Sequence, residues 1–197
     1  MPDVSSKQRL PRAERRAQIL AAATRAFARH GFADTGLDDI AKEAGITRVV
    51  LYRHFDSKAE LYRTILDRAC ERLAERVGTD DFEDDAIPAL LGAAAEDPDA
   101  FRLLFRFANR EREFRDLTDA LSTAATTVAR TNLAKQIPSG PWLDWAAQLI
   151  PAVTTDAVIA WLDNGQPDPD AAAGRIRAAI HGISAAAAGV QDGDVPR

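Results

Sequence analysis

A chain of 197 residues, 46% of them hydrophobic, is long enough to bury a real core in one or two compact domains. Its one cysteine, Cys70, excludes an internal disulfide, and the scattered His30, His54 and His181 give no zinc-ligand spacing with it. The net charge of −5 is unevenly divided: residues 1–58 hold eleven Lys and Arg against seven Asp and Glu, a balance of +4, and the remainder carries −9, so a polyanionic partner is expected at the N-terminal end.

Abundant Ala, Leu and Arg, with Gly and Pro mostly at element ends, predict an all-α chain. Residues 1–10 are polar and are expected to form a disordered arm, with Lys7 and Arg9 solvated most of the time and able to reach along a polyanion. Pro11 suits the start of a first helix, whose stripe is Ile19, Leu20, Ala23, Ala26 and Phe27 and whose end is Gly31. Arg12, Arg15 and Arg16 near its start are placed to touch phosphate, although Glu14 sits among them. Leu37, Ile40, Ala41 and Ala44 then share one face of a second helix, which Gly45 stops. Thr35 is expected to cap this helix, with Asp38 three residues later completing a capping box. Asp38 and Asp39 suit the helix dipole and repel phosphate; a carboxylate can also accept from cytosine N4.

Thr47 is a good N-cap for a third helix, on which Leu51 and Phe55 lie one turn apart. Two short helices around a Gly-containing turn make a helix-turn-helix. The third helix leaves Arg48, Val49, Tyr52, Arg53 and His54 for an outside partner, while Val50 is expected to be partly core. Val49 can pack on a thymine methyl, and Arg, His and Tyr can meet phosphate or base acceptors. Ser57 and Glu60 form a capping box for a fourth helix running to about Val77. Lys58 stands in its first turn, where the dipole disfavours a cation; a phosphate there would remove the conflict, and the alternative is that Lys58 points into water.

Gly31-Phe32, Thr35, Ile40-Ala41, Ala44-Gly45-Ile46-Thr47, Leu51-Tyr52, His54-Phe55 and Ser57-Lys58 together resemble the tetracycline-repressor (TetR) family, over roughly residues 12–66. The sequence departs from the family's habit at Gly36, often a hydroxyl residue, at Asp38, often basic or polar, and at Val49 and Val50, usually small or hydroxyl residues. The resemblance implies a helix-turn-helix DNA-binding domain at 11–57, a larger helical regulatory and dimerisation domain at 58–190 and a disordered tail at 191–197. It implies a homodimer on a palindromic operator in double-stranded DNA, released by an unknown small-molecule effector. Carried over by position, its DNA contacts fall on Thr35, Thr47, Arg48, Val49, Tyr52, Arg53, His54 and Lys58. Arg48 and Val49 are expected at base edges, and Thr47, Tyr52, His54 and Lys58 at phosphates.

Beyond a loop at Gly78–Asp81, helical spacing marks Ile87, Leu90, Leu91 and Ala94, with Pro88 in the first turn. Asp97-Pro98 reads as cap and first position of a helix with Phe101, Leu104, Phe105 and Ala108; a break follows near 109–113, then a helix carrying Phe114, Leu117, Leu121 and Val128. Two further helices are expected at about 142–163 and 169–188. The residues of this half that suit an effector pocket are Phe101, Leu104, Phe105, Phe114, Trp142, Trp145, Asp156 and Trp161, the alternatives being ordinary core for each aromatic and the solvent face for Asp156. On the last helix, Ile176, Ala179, Ile180, Ile183 and Ala187 belong to an apolar band wider than one core face needs. Those residues are the expected dimer interface, forming a four-helix bundle with the helix at 142–163 and the symmetry mates.

No Gly-rich phosphate loop, G-x-S-x-G or H-E-x-x-H motif occurs, so neither an enzyme nor a cofactor is expected. No membrane span and no secretory signal are expected, and a reducing cytoplasm suits the lone cysteine. Two other readings stand beside a ligand-responsive repressor. One is a DNA-binding regulator steered by a partner protein; the other is an enzyme or interaction module with a vestigial helix-turn-helix.

Overall fold

The computed structural model describes residues 10–78 and 85–189, and every regular element among them is helical. The expected arm up to residue 9, most of the loop after Gly78 and the tail from residue 190 lie outside the described residues. The elements are α1 (Arg12–Asp34), α2 (Leu37–Glu43), α3 (Arg48–Tyr52), α4 (Lys58–Val77), α5 (Ala86–Glu96), α6 (Pro98–Arg102), α7 (Arg115–Leu133), α8 (Pro141–Asp163) and α9 (Pro169–Ala188). Contacts gather into two compact units that divide between Leu66 and Asp67, inside α4.

In the first unit, Ile19, Leu20, Ala23, Ala26 and Phe27 of α1 are buried with Ile40, Ala41, Leu51, Phe55, Leu61 and Tyr62. Gly31 takes φ +76° and breaks α1 before its last turn, bringing Phe32 back toward Phe27 and Tyr62. The three rings pack at centroid distances of 4.9 to 6.0 Å. Gly45 takes φ +64° after α2. That left-handed residue lets Ile46 N–H donate to Ala41 O at 2.9 Å, closing the helix end in the Schellman pattern. The Gln18 amide donates to Ala44 O at 2.8 Å and satisfies another terminal carbonyl from α1.

Capping in α2 differs from the sequence expectation. Gly36 is the N-cap, and its N–H donates to the Asp39 carboxylate at 3.0 Å. Thr35, 1% exposed, instead turns its hydroxyl back onto Gly31 O at 2.6 Å. Its side chain is spent on the carbonyl that the Gly31 break exposes, so Asp39 rather than Asp38 completes the helix start. At α4 half of the expected box forms: Glu60 N–H donates to Ser57 Oγ, while the Glu60 carboxylate accepts from Asp56 N–H, one residue before the cap.

In the second unit Asp97 caps α6 and Asp168 caps α9, each with Pro at the first helical position. Between α6 and α7 the chain runs through a π-helical turn, Leu103–Phe107, and two 3-10 turns, Ala108–Arg110 and Arg112–Phe114. The main core joins Leu91, Ala94, Phe101, Val158, Ile159, Trp161, Leu162, Ala173 and Ile176 from α5, α6, α8 and α9. A smaller cluster unites Ile137, Leu143, Ala146 and Ala187. Among the described helices α8 is long and apolar enough to cross a membrane by length and composition alone. Its seven buried residues, Leu143 to Leu162, pack within the unit, which makes it a core helix here.

The two kinds of glycine should respond oppositely to a methyl group. Gly45→Ala has open space around the new Cβ and meets only left-handed backbone strain, so it should destabilise the first unit by about 1–2 kcal/mol. Gly92→Ala, inside α5 with equal space, should stabilise the second by about 0.5–1 kcal/mol. Denaturant unfolding of the full chain, followed by hydrogen exchange in each unit, checks both signs.

Candidate nucleic-acid interface

Five residues of α3 cannot hold a direction alone, so the anchors on their inner side matter. Leu51 is fully buried and Phe55, just beyond the helix, is 1% exposed. Thr47 Oγ1 accepts from Val50 N–H at the start, and Arg16 stacks over the Phe55 ring at 4.2 Å while donating to His54 O at 3.0 Å. This clamp turns the opposite side outward: Val49 is 63% exposed and Tyr52 43%, with Arg48 and Arg53 also exposed and Val50 half-buried.

Arg48 is ordered by two neighbours. It donates to the Asp38 carboxylate at 3.0 Å and to the Tyr52 hydroxyl at 3.1 Å, with its guanidinium 5.5 Å from the centre of the Tyr52 ring. The hydrogen bond with Tyr52, and then the Asp38 charge, raise its pKa further, so it is a permanent cation. Guanidinium has five donors and two are used, leaving a fork for an external acceptor pair. Asp38 was missed as its partner because ten residues separate them; only the turn at Gly45 brings α2 and α3 together.

Three residues expected at DNA have inward tasks. Thr35 is buried and bonded within α1's last turn, which removes its hydroxyl from the surface. Lys58 Nζ donates to Phe32 O at 2.7 Å and Ala33 O at 3.3 Å, and lies 4.5 Å from the Phe32 ring centre. Two carbonyls freed near the Gly31 break therefore resolve the conflict of a cation at the start of α4, in place of phosphate or water. His54 is half-buried with Nδ1 enclosed and unbonded; burial, then the charges of Arg12, Arg16 and Arg15, push its pKa down. A neutral, partly enclosed ring is a poor phosphate cation. Arg12 is exposed and Arg15, half-buried, bonds Gln18.

A short clamped helix set after a glycine turn, with an ordered cation, an exposed valine and an exposed tyrosine on its outer side, is the architecture of a helix-turn-helix. The particular family is equally clear. Residues 19–65 match the model of the bacterial regulatory proteins of the tetR family. The HTH-type transcriptional activator FasR of Mycolicibacterium smegmatis is 33% identical over 189 residues, 89% of this chain and 86% of that protein. A TetR-like regulator from Rhodococcus has a TM-score of 0.75 at 23% identity, covering 88% of this chain and 97% of its own. NalD of Pseudomonas aeruginosa, described as the secondary repressor of the MexAB-OprM multidrug efflux pump, has a TM-score of 0.65 at 22% identity over 87% and 96% of the two chains. The chain belongs to the TetR family of DNA-binding transcription regulators.

In the second unit the structure divides the expected effector residues. Phe101, Leu104, Phe114 and Trp161 are buried, and Trp161 Nε1–H donates to Pro167 O at 2.8 Å. Trp142 and Trp145 lie on the surface, 64% and 40% exposed, packed edge to face on each other. These eight residues therefore do not wall one pocket, because helical spacing on α8 sends its tryptophans to different faces. Two hollows do exist. A cavity of about 30 Å³ is lined by Ala69, Leu73, Ala93, Ala100, Phe101 and Leu104 under the Arg72–Asp97 ion pair. An open cleft of about 290 Å³ runs between Phe105, Arg106, Asp156, Ile159, Ala160 and Asp163.

The expected interface also divides. Ile176 and Ala187 are buried in the two clusters within the chain, Ile180 and Ile183 are half-buried against them, and Ala179 is exposed. The outward face of α9 instead carries the small residues Gly174, Ala178, Ala179, Gly182, Ala185 and Ala186 together with Arg175 and His181. Cys70 is inert: burial, then Asp67 and Glu71, push its thiol up to about 11.

The depressed pKa of His54 has a definite sign. As pH falls through about 6.5 the unfolded chain takes up the proton before the folded one does, so stability falls with pH from there down to the folded pKa. Between pH 7.5 and 5.5 the wild type should lose melting temperature relative to His54→Gln. A difference that stays constant with pH would show that this ring does not titrate as described.

Proposed function

We propose that this chain is a ligand-responsive transcription regulator that acts as a cytoplasmic homodimer on a palindromic operator. Arg48 and Val49 read base edges, and Thr47, Tyr52 and Arg53 lie along phosphates. The observation that carries this reading is the outward face of α3, where the residues not needed for packing are a braced arginine, an exposed valine and a phenol. Lys58 reaches phosphate only with the donor left over from Phe32 and Ala33.

A reading head of this size uses two half-sites about 34–36 Å apart or a multiple of it, so two chains must be held together. The exposed tryptophan pair at the start of α8 and the small outward residues of α9 support a second copy of the chain as the occupant of that surface. Ala186→Glu tests this better than a change at Ile180, which also packs against the main core.

The effector is an apolar or amphipathic small molecule. The cavity of about 30 Å³ is far below the 300–1,000 Å³ of ordinary ligand sites, so binding requires widening. Leu104 borders the cavity and Phe105 and Arg106 border the cleft, so the π-helical turn is the wall that both hollows share. Such a molecule releases DNA only if it binds the DNA-incompetent state more tightly.

Repression is the primary reading. The name of the Mycolicibacterium smegmatis relative, similar along almost the whole chain, favours activation as a second one. Purified full-length protein should retain discrete fragments of its own genome, with affinity falling steeply with salt. Arg48→Ala should weaken the preferred fragment by about 1–3 kcal/mol and random DNA much less. Deleting the gene and measuring transcripts beside the retained fragments gives the direction: a rise marks a repressor and a fall an activator. Fragments retained without sequence preference would overturn the operator-reading role.

A further inference from the structure

We propose that Asp38 is a specificity-determining positioning residue: it holds the Arg48 guanidinium in the orientation that reads a base edge, and touches no base itself. The inference rests on the base-reading role of Arg48 given above. Asp38 is free for this task because Asp39 takes the capping position on Gly36 N–H. Its carboxylate accepts from one terminal nitrogen of Arg48 at 3.0 Å, while the Tyr52 hydroxyl accepts from the other at 3.1 Å. Asp38 makes no other hydrogen bond or ion pair among the described residues.

The pair is open to solvent, with side-chain exposures of 72% for Asp38 and 52% for Arg48. An ion pair so exposed adds little to folding. It does restrict a long side chain that would otherwise lose much rotamer freedom on binding, and such pre-organisation strengthens a contact without adding one. Both terminal nitrogens keep a second N–H and Nε keeps its own, and a pair of guanidinium donors is what guanine O6 and N7 accept. Tyr52 holds one side of the guanidinium and Asp38 the other, which fixes the plane of the fork.

The charge has the opposite effect on general affinity. A carboxylate on a surface that faces phosphate repels it, so Asp38 weakens binding to any DNA. The repulsion acts on every sequence alike and cancels in the ratio of affinities; the orientation of Arg48 is what makes Asp38 discriminatory, favouring the sequence that Arg48 can pair with.

The test uses full-length protein and two duplexes of equal length, the best-bound one recovered from a random-sequence library and a scrambled one. Asp38→Ala should tighten the scrambled duplex and lower the ratio of selected to scrambled affinity by about tenfold, part of what losing a bidentate arginine contact costs. Asp38→Asn, which keeps an acceptor oxygen without the charge, should tighten scrambled DNA as Ala does and retain more of the ratio. In an Arg48→Ala background, Asp38→Ala should leave the ratio unchanged. Melting temperatures of all variants should stay near wild type, which separates positioning from folding.

If Asp38→Ala tightens both duplexes equally, the residue is only a repulsive charge and the proposal fails. A further fall in the ratio in the Arg48→Ala background would mean that Asp38 reads a base itself, which also overturns it. An unchanged ratio for Arg48→Ala alone would remove the base-reading role beneath the proposal. A ratio that falls for Arg48→Ala and stays for Asp38→Ala removes the proposal alone.

Discussion

A helix of five residues has too few internal hydrogen bonds to be stable or to point anywhere, and α3 is such a helix. Its direction is therefore a property of its surroundings. Leu51 and Phe55 are sunk in the core, Thr47 ties down the first turn, and Arg16 closes over Phe55 while holding the His54 carbonyl. Nearly every other feature of the first unit serves this clamp. The turn at Gly45 sets α2 and α3 at an angle, and Gln18 pins the end of α2 to α1. The Gly31 break lets Phe32 join Phe27 and Tyr62 beneath them.

The same economy explains why several cations of the positive end already have partners within the chain. Breaking α1 at Gly31 exposes carbonyls, and buried or half-buried carbonyls need donors. Thr35 and Lys58 supply them. Arg25 and Arg29 share Glu43, whose hydrogen bonds with Arg25 and then Arg29 lower its pKa. Charge counted along the sequence thus overstates what phosphate can meet. On α3 and directly after it the outward cations are Arg48 and Arg53, and the first already leans on Asp38.

Local signals in the sequence carried the fold well. Helix ends follow residues whose chemistry acts within one turn: Asp97-Pro98, Ser57 with Glu60, and Asp168-Pro169 all sit where their side chains cap a helix. The short third helix was legible for the same reason, with Thr47 as its cap and Leu51 as its buried anchor. What could not be read was any contact that needs the turn geometry first. Lys58 with Phe32 spans 26 residues, Gln18 with Ala44 likewise, and Arg48 with Asp38 spans ten. Thr35 against Gly36 as the cap was a contest between two neighbours, decided by the Gly31 carbonyl that only the folded break presents. On α8 and α9 the difficulty was different. Ala and aromatic residues lie around much of the circumference, so composition alone does not separate Trp161, buried and bonded to Pro167 O, from Trp142 on the surface.

The second unit is packed unevenly, and the unevenness follows the backbone. Most of its helices are regular, yet the stretch Leu103–Phe114 passes from π-helical to 3-10 geometry within twelve residues. A π-helical turn widens the ring closed by each hydrogen bond, and such turns recur where a helix has to yield to function. Here its side chains divide their duties. Leu103 is fully buried, Leu104 closes the small cavity, and Phe105 faces the open cleft while packing on Phe101 at 4.7 Å. Arg106 and Arg102 converge on Asp163 and tie the segment to the end of α8. Those ion pairs are partly exposed and therefore contribute little to stability singly, whereas Leu103 and Phe101 anchor by burial. The segment is thus held firmly on its core side and loosely at its rim. The burial of Leu103 and Phe101 therefore fixes where the π-helical turn lies, and the ion pairs on Asp163 only trim its outer edge.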